Sequence, residues 1–598
     1  MNTPDSSSMN NTNILMRAGR WRWWELLLWA VALSLPWVMN THALIINEIA
    51  IVALFALSLD IILGYTGIVS LGHAAFFGMG AYTAALFSKH INPDPLFGLA
   101  VAMVVSTVLG AICSVTVQRG TDLTRLMVTM GVGLILMELA NKLDWLTGGA
   151  DGLQGVMMGP LLGRFEFDLY GSTAATYSIV VLFIMFVLAR RFVNSPFGSA
   201  LKAIHDNRLR AMAIGIPVAS RIAVAYTVAA GAAGMAGALL ARTTGFASLD
   251  VFEFHRSADL VLLLVIGGVG WLYGGVIGAI VFKVLQDAIS SITPPVLDLL
   301  DRPLPRGAHA GGPRACGAPL DLVRHIVLQE EGRCCMSATS SPLNSNTVLS
   351  AQGLVMKFGG ITATNNVTLN LQKGARHALI GPNGAGKTTL INLLTGVLQP
   401  TEGRIVLEGE DITHLAPHQR VRRGMVRTFQ INQLFDSMSP MQTLAMVVSQ
   451  HKGLGGEWWQ ALGADRSVVE RCEQLLEQFH LSSVMHQETR VLAYGKRRLL
   501  EIAIALACEP RVLLLDEPVA GVPAGEREEL LQTVAALPAD VSILLIEHDM
   551  DLVFSFANRM TVLVNGTMLT EGNPEEIAND PQVKAVYLGH AEGEGAHA

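Results

Sequence analysis

Eight windows of mainly apolar residues, near 24–40, 45–63, 72–88, 97–117, 126–145, 174–192, 221–241 and 258–285, crowd the first 300 positions of this 598-residue chain. A helix needs roughly 20 such residues to cross a bilayer, where every backbone polar group must be paired within the segment. The first half is therefore expected to be an all-α polytopic membrane domain. Beyond position 300 the pattern stops, and mixed charge and turn residues mark a soluble domain. The composition, 51% hydrophobic and 15% charged, averages two physically different halves.

The first 20 residues are polar and lack a cleavable apolar core, so the first hydrophobic helix is expected to stay in the membrane. Arg17, Arg20 and Arg22 place that end in the cytoplasm, and Trp21, Trp23 and Trp24 suit the lipid interface. A net charge of −7 without a Lys/Arg block argues against nucleic acid as a partner. The six cysteines show neither metal-ligand spacing nor a disulfide framework.

Within the apolar half, "GYTGIVSLGHAAFFGMGAY" (64–82) sets five glycines around Ser70 and His73. Two readings stand: a broken helix beside a transport path, or polar groups that bond a neighbouring helix. "AAGAAGMAGALLA" (229–241) is the small-residue pattern that lets helices approach closely in lipid. "LTGGADGL" (146–153) reads as an extracytoplasmic loop in which Asp151 is solvated. The stretch 190–223 is basic and too interrupted to span; it carries a short helix pattern from about Ser199 to Ile214, closed by Gly215 and Pro217. A cytoplasmic helix of this kind is a docking element for a soluble partner or an ordinary surface loop.

In the second half, "RHALIGPNGAGKTTLINLLTG" (376–396) reads strand, glycine-rich turn, helix. Such a turn points backbone N–H groups at phosphate, and the helix N-terminus adds positive potential. Residues Gly381, Pro382, Asn383, Gly384, Ala385, Gly386, Lys387, Thr388 and Thr389 are the expected nucleotide cradle. Lys387 reaches the β- and γ-phosphates, and the Thr388 hydroxyl ligates Mg²⁺. "RVLLLDEP" (511–518) is a buried strand that ends in two carboxylates. Asp516 would hold Mg²⁺ through water and Glu517 would polarise the attacking water. A second buried strand, "VSILLIEHDM" (541–550), delivers His548 as a γ-phosphate sensor.

Four motifs in order, "SLGHAAFFGMGAY", "LTGGADGL", "FGSALKAIHDNRLRAMAIGI" and "IGGVGWLYGGVIGA", resemble the membrane subunits of branched-chain amino-acid ABC importers over about residues 25–290. The resemblance implies that residues near Ala203 to Gly215 are the coupling helix, with Asp206 and Met212 at positions where acidic residues are expected. Residues 347–590 resemble an α/β P-loop ABC-type ATPase, and the tail 573–589 is similar to ATPases of the same amino-acid group. The resemblance makes Phe358 the aromatic that stacks on adenine. Gln430, in "RTFQ", is then the Q-loop residue, which also approaches Mg²⁺. "LAYGKRR" (492–498) takes the signature position, whose Ala493 and Gly495 close on ATP held by the opposite subunit. Ala493 offers no hydroxyl there, and Pro523 stands where many members place a dimer-contacting Asp.

The expected organisation is thus a permease domain at 1–300, an irregular junction at 301–346 and an ATPase at 347–590. The Pro, Gly and Arg content of 301–335 forbids a spanning helix, which points to a read-through fusion of two frames, with a flexible tether as the alternative. The resemblance implies ATP and Mg²⁺ as cofactors, and as partners a second permease, a second ATPase and a periplasmic substrate-binding protein. It implies import of branched-chain amino acids across a bacterial inner membrane, with the ATPase in the cytoplasm. Alternatives are import of urea, amides or other amino acids, export, or a product in which only an ATPase started at Met336 works.

Overall fold

The computed structural model describes residues 11–12, 14–16, 19–120, 122–156, 159–168, 170–292 and 346–588. The junction at 301–346 lies, but for its last residue, outside the described residues.

The membrane half is built from helices α1 (Trp23–Val38), α2 (Ala43–Thr66), α3 (Ala74–His90), α4 (Pro95–Arg119), α5 (Asp122–Lys142), α6 (Ser172–Val193), α7 (Pro196–Asp206), α8 (Arg208–Ala213), α9 (Val218–Thr244), α10 (Phe254–Gly267) and α11 (Leu272–Ile292). Among the described residues six helices are long and apolar enough to cross a membrane, and α1 is a shorter apolar helix. The window 258–285 is not one span. Gly268 and Gly270 adopt φ of 100° and 78°, a region open to glycine, and the chain turns there so that α10 and α11 form a hairpin. The coupling pattern is likewise two helices. Asn207 is extended, ends α7, and accepts a hydrogen bond from Arg210 N at 3.0 Å to cap α8.

Helix α9 is the centre of this half, and it is buried along most of its length. Its small residues explain why. A side chain at Gly80 of α3 would run into the backbone of Gly234 of α9, so the two helices touch at their main chains. Between α2 and α3 the chain leaves the helix from Gly67 to Ser70 and turns back through His73. The His73 ring is fully buried, lies 2.9 Å from Ser58 Oγ on α2, and stacks on Phe55 at 5.8 Å. The geometry thus shows His73 bonding a neighbouring helix within a broken, glycine-rich segment.

The soluble half holds two sheets. Strands β1 (Thr347–Phe358), β2 (Ile361–Gln372), β4 (Glu402–Leu407) and β5 (Glu410–Asp411) form an antiparallel sheet in the order β2-β1-β4-β5. The second sheet runs β10-β9-β3-β8-β7-β6, from β3 (Arg376–Ile380), β6 (Met425–Arg427), β7 (Val512–Asp516), β8 (Ser542–Ile546), β9 (Arg559–Val564) and β10 (Thr567–Gly572). All its pairings are parallel except β9–β10. Every residue of β7 and β8 is buried, as continuous apolar strands covered on both faces require. Helices α12 (Lys387–Thr395), α13 (Pro417–Arg422), α14 (Pro440–His451), α15 (Arg466–Gln478) and α16 (Tyr494–Ala507) pack with them.

Candidate active site

The glycine-rich turn leaves the C-terminal end of β3 and enters α12, with Gly384 and Gly386 at φ of 79° and 97°. A Cβ at Gly386 would also meet the Ala363 carbonyl, so both conformation and space demand glycine there. Lys387 Nζ donates to the carbonyls of Gly381 at 2.6 Å and Pro382 at 3.0 Å, which arches the turn around the ammonium. Burial pulls the Lys387 pKa down, and Glu517 and Asp516 oppose this. Asn383, Gly384 and Thr388 are exposed at the mouth, Pro382, Gly386 and Thr389 are half-buried, and Ala385 is enclosed. The first turn of α12 thus offers N–H groups, an ammonium and a hydroxyl together, a set chemically suited to polyphosphate.

Strand β7 sets Asp516 and Glu517 beside that mouth. Asp516 is buried, which pushes its carboxyl up in pKa; the Arg427 guanidinium, 3.4 Å away, opposes the push. Glu517 takes a positive φ of 43°, rare for a side-chain-bearing residue, and its N–H donates to Ile546 O at 2.8 Å. That kink aims its carboxylate at two neighbours. Gln430 Nε2 donates to Oε2 at 2.7 Å, and His548 Nε2 lies 3.1 Å from Oε1. Gln430, Glu517 and His548 come from three separate segments, so the fold assembles an expected catalytic trio.

Phe358 is half-exposed at the end of β1, and its ring is free to stack on a planar ligand. Ala493 is the residue before α16 and makes no side-chain cap, whereas Gly495 is buried against Glu526. Among the described residues, Phe358, Ala493 and Gly495 make no hydrogen bond to the trio.

Sequence reasoning missed the charges behind the trio. Arg498 and Glu501, one turn apart on α16, are both fully enclosed and paired at 2.6 Å. Arg498 donates to the carbonyls of Asp516 at 3.0 Å, Glu517 at 2.6 Å, Pro518 at 2.9 Å and Phe429 at 2.5 Å. Glu501 accepts from Phe429 N at 2.8 Å. The residue before Gln430 and the backbone under both site carboxylates are therefore held by one ion pair. The signal was present in the sequence as two charges inside the apolar run of α16, where an unpaired charge is too costly to bury.

The membrane half reaches the same pair. Arg210 of α8 is fully buried; its guanidinium lies 3.8 Å from Glu501 and donates to Glu501 O at 3.1 Å and Arg427 O at 3.4 Å. Asp206 accepts from Ser437 N at 2.9 Å and Oγ at 2.6 Å, and Asn207 bonds Gln433. Phe197 N donates to Glu457 O at 3.1 Å. The α7–α8 pair is therefore seated on the ATPase half of its own chain, and Met212 of α8 is a partly buried packing residue.

Comparison with known proteins follows the same division. Residues 42–300 match the family described as branched-chain amino acid transport system / permease component. Residues 364–520 match the ABC transporter family, and 567–593 match the branched-chain amino acid ATP-binding cassette transporter family. The soluble half is similar to the high-affinity branched-chain amino acid transport ATP-binding protein BraF of Pseudomonas aeruginosa. That match is 41% identical over 256 residues, which is 41% of this chain and 100% of the relative. LivG of Escherichia coli, described in the same words, is similar to the same extent. A solved ATP-binding cassette of an ABC transporter in its ADP conformation is 31% identical, covering 41% of this chain and 99% of that one with a TM-score of 0.37.

Proposed function

Because this chain belongs to the branched-chain amino-acid family of ABC transporters and is a multi-pass ATP hydrolase of that family, we propose that it powers import of leucine, isoleucine and valine. Permease and ATPase share one polypeptide, placed in a bacterial inner membrane with the ATPase in the cytoplasm. The observation that carries the reading is the enclosure of Arg210, a membrane-half residue, against Glu501 behind the nucleotide site. A change of shape at the site is then felt by the helix pair that continues into α9, and the bundle alternates access.

In this mechanism the Gly381–Thr389 turn and Lys387 hold the ATP phosphates, with Phe358 on the adenine. Thr388 and Asp516, with Gln430 alongside, would hold Mg²⁺, whose charge would offset that of the phosphates. Glu517 orients the attacking water, and the hydrogen bond from Gln430, with the His548 ring 3.1 Å away, sets its direction before nucleotide arrives. Ala493 and Gly495 close on the nucleotide of an opposite subunit. A second permease, a second ATPase and a periplasmic substrate-binding protein complete the transporter.

The test is uptake of labelled leucine by cells carrying this chain and its partners, against Lys387→Ala, with excess unlabelled valine or urea as competitor. Uptake that requires Lys387 and yields to valine supports the proposal. Uptake that persists in Lys387→Ala, or yields to urea alone, overturns it.

A further inference from the structure

On the ATPase side of the bundle, the start of α1, the end of α6, α7 and the turn between α10 and α11 surround a cavity of about 370 Å³. This is within the size range of small-molecule sites. Its charge is one-sided. Arg20, Arg22, Arg190 and Lys202 line it, and Glu25 is the one acid among the lining residues. Glu25 is already used: its carboxylate is buried, 2.7 Å from Arg190, and accepts from Arg22 N at 3.2 Å. The pair neutralises itself, and Arg22 and Lys202 also line the cavity.

Lys202 is the telling member. It sits on α7 with its ammonium 5.6 Å from the Tyr65 ring, and among the described residues it makes no hydrogen bond or ion pair. Burial pulls its pKa down, and the charge of Asp206, one turn on, only partly restores it. A half-buried cation is costly when its nearest acid, Asp206, is bonded to Ser437 instead. The rest of the wall is aromatic. Trp24 and Trp271 are exposed at the rim, 6.5 Å and 5.8 Å from Tyr273 between them. Tryptophan at the end of a spanning helix prefers the headgroup layer, and basic clusters beside it attract anionic lipid.

We propose that this cavity binds the headgroup of an anionic phospholipid, whose phosphate lies between Arg22 and Lys202 and whose chains pass the Trp24 and Trp271 rings. A bound lipid would touch α7 directly, one turn from the Asp206–Ser437 contact with the ATPase. The proposal rests on the membrane orientation given above.

The test uses the full chain in nanodiscs of phosphatidylcholine with a minor share of phosphatidylglycerol, and counts lipids retained on release by native mass spectrometry. The parent retains phosphatidylglycerol in preference, and Arg22→Gln with Lys202→Gln lowers that preference by about fivefold per charge removed. The charge-preserving pair Arg22→Lys and Lys202→Arg keeps it, which separates the effect from misfolding. Equal retention of the two lipids by the parent overturns the proposal, as does a preference unchanged in the glutamine pair. Displacement of the lipid by inorganic phosphate would instead make this a free-phosphate site and also overturn it. If the parent retains the lipid but leucine uptake fails, only the substrate assignment is lost.

Discussion

Both halves bury polar groups, but they partner them to different extents. In the membrane half, polar side chains enclosed among the spans are lightly partnered: His73 pairs with Ser58, and Asp60 accepts from Gly270 N at 2.8 Å. Closeness there comes from missing side chains, as where Gly80 meets Gly234. In the ATPase half, the enclosed guanidinium groups of Arg420 and Arg498 are satisfied several times over. Arg498 makes six hydrogen-bonded contacts to backbone and side chains, and Arg420 reaches the carbonyls of Leu393, Leu394, Thr413 and Leu415. The difference follows from solvent. Lipid offers no water to a frayed polar group, so spans come closest through bare backbone, whereas the ATPase core surrounds each enclosed charge with a full set of partners.

The comparison is most sharply tested at the site that depends on full pairing. Glu517→Gln keeps Gln430 and His548 in reach but removes the carboxylate, so phosphate release should fall by about 10²- to 10³-fold while labelled ATP still binds. ATP turnover at the parent rate would remove Glu517 from the role assigned to it.

Next comes the glycine seam. Gly80→Val should destabilise the bundle by about 1–3 kcal/mol, because the nearest atoms are Gly234 backbone and have no side chain to move aside. The unfolding midpoint of the membrane half should drop and that of the ATPase half should hold. A uniform drop in both would break the distinction drawn between them.

Acidity should act on the soluble half. His377 is buried on β3, 2.8 Å from Thr561, and burial lowers its pKa from 6.5 to about 4, with Arg559 adding to the shift. The folded state therefore resists protonation that the unfolded chain accepts. The contribution is intact above pH 6.5 and is lost as pH falls towards 4, amounting to about 2 kcal/mol between pH 7 and 5. Urea unfolding of the ATPase half at those two pH values should show it, and His377→Gln should flatten that part of the slope.

The smallest effect is at Ala493, which caps α16 without a side-chain acceptor. Ala493→Ser should stabilise the helix by about 1 kcal/mol, read as a higher melting temperature of the ATPase half. It should raise ATP turnover only when the partner ATPase is present, since this residue serves the opposite nucleotide.

How far the sequence could be read depended on the range of the interaction. The Gly381–Thr389 turn, the strands ending at Asp516 and His548, and the spans through α9 were legible, because each rests on contacts within a few residues or on burial averaged along a helix. The 258–285 window misled for the same reason: average apolarity hides a turn that two positive-φ glycines make. The break at Asn207 escaped because α7 and α8 share one apolar pattern, and an i to i+3 cap decides the boundary.

The sequence by itself determined that one half must lie in lipid and the other must cradle phosphate, since hydropathy and a glycine-rich turn before a helix are local physics. Only the tertiary structure decided that Glu517 meets Gln430 and His548, and that Arg210 closes on Glu501 behind them, 291 positions away. A buried charge selects its partner by the shape and desolvation of the place where distant segments meet, and no spacing along the chain encodes that place.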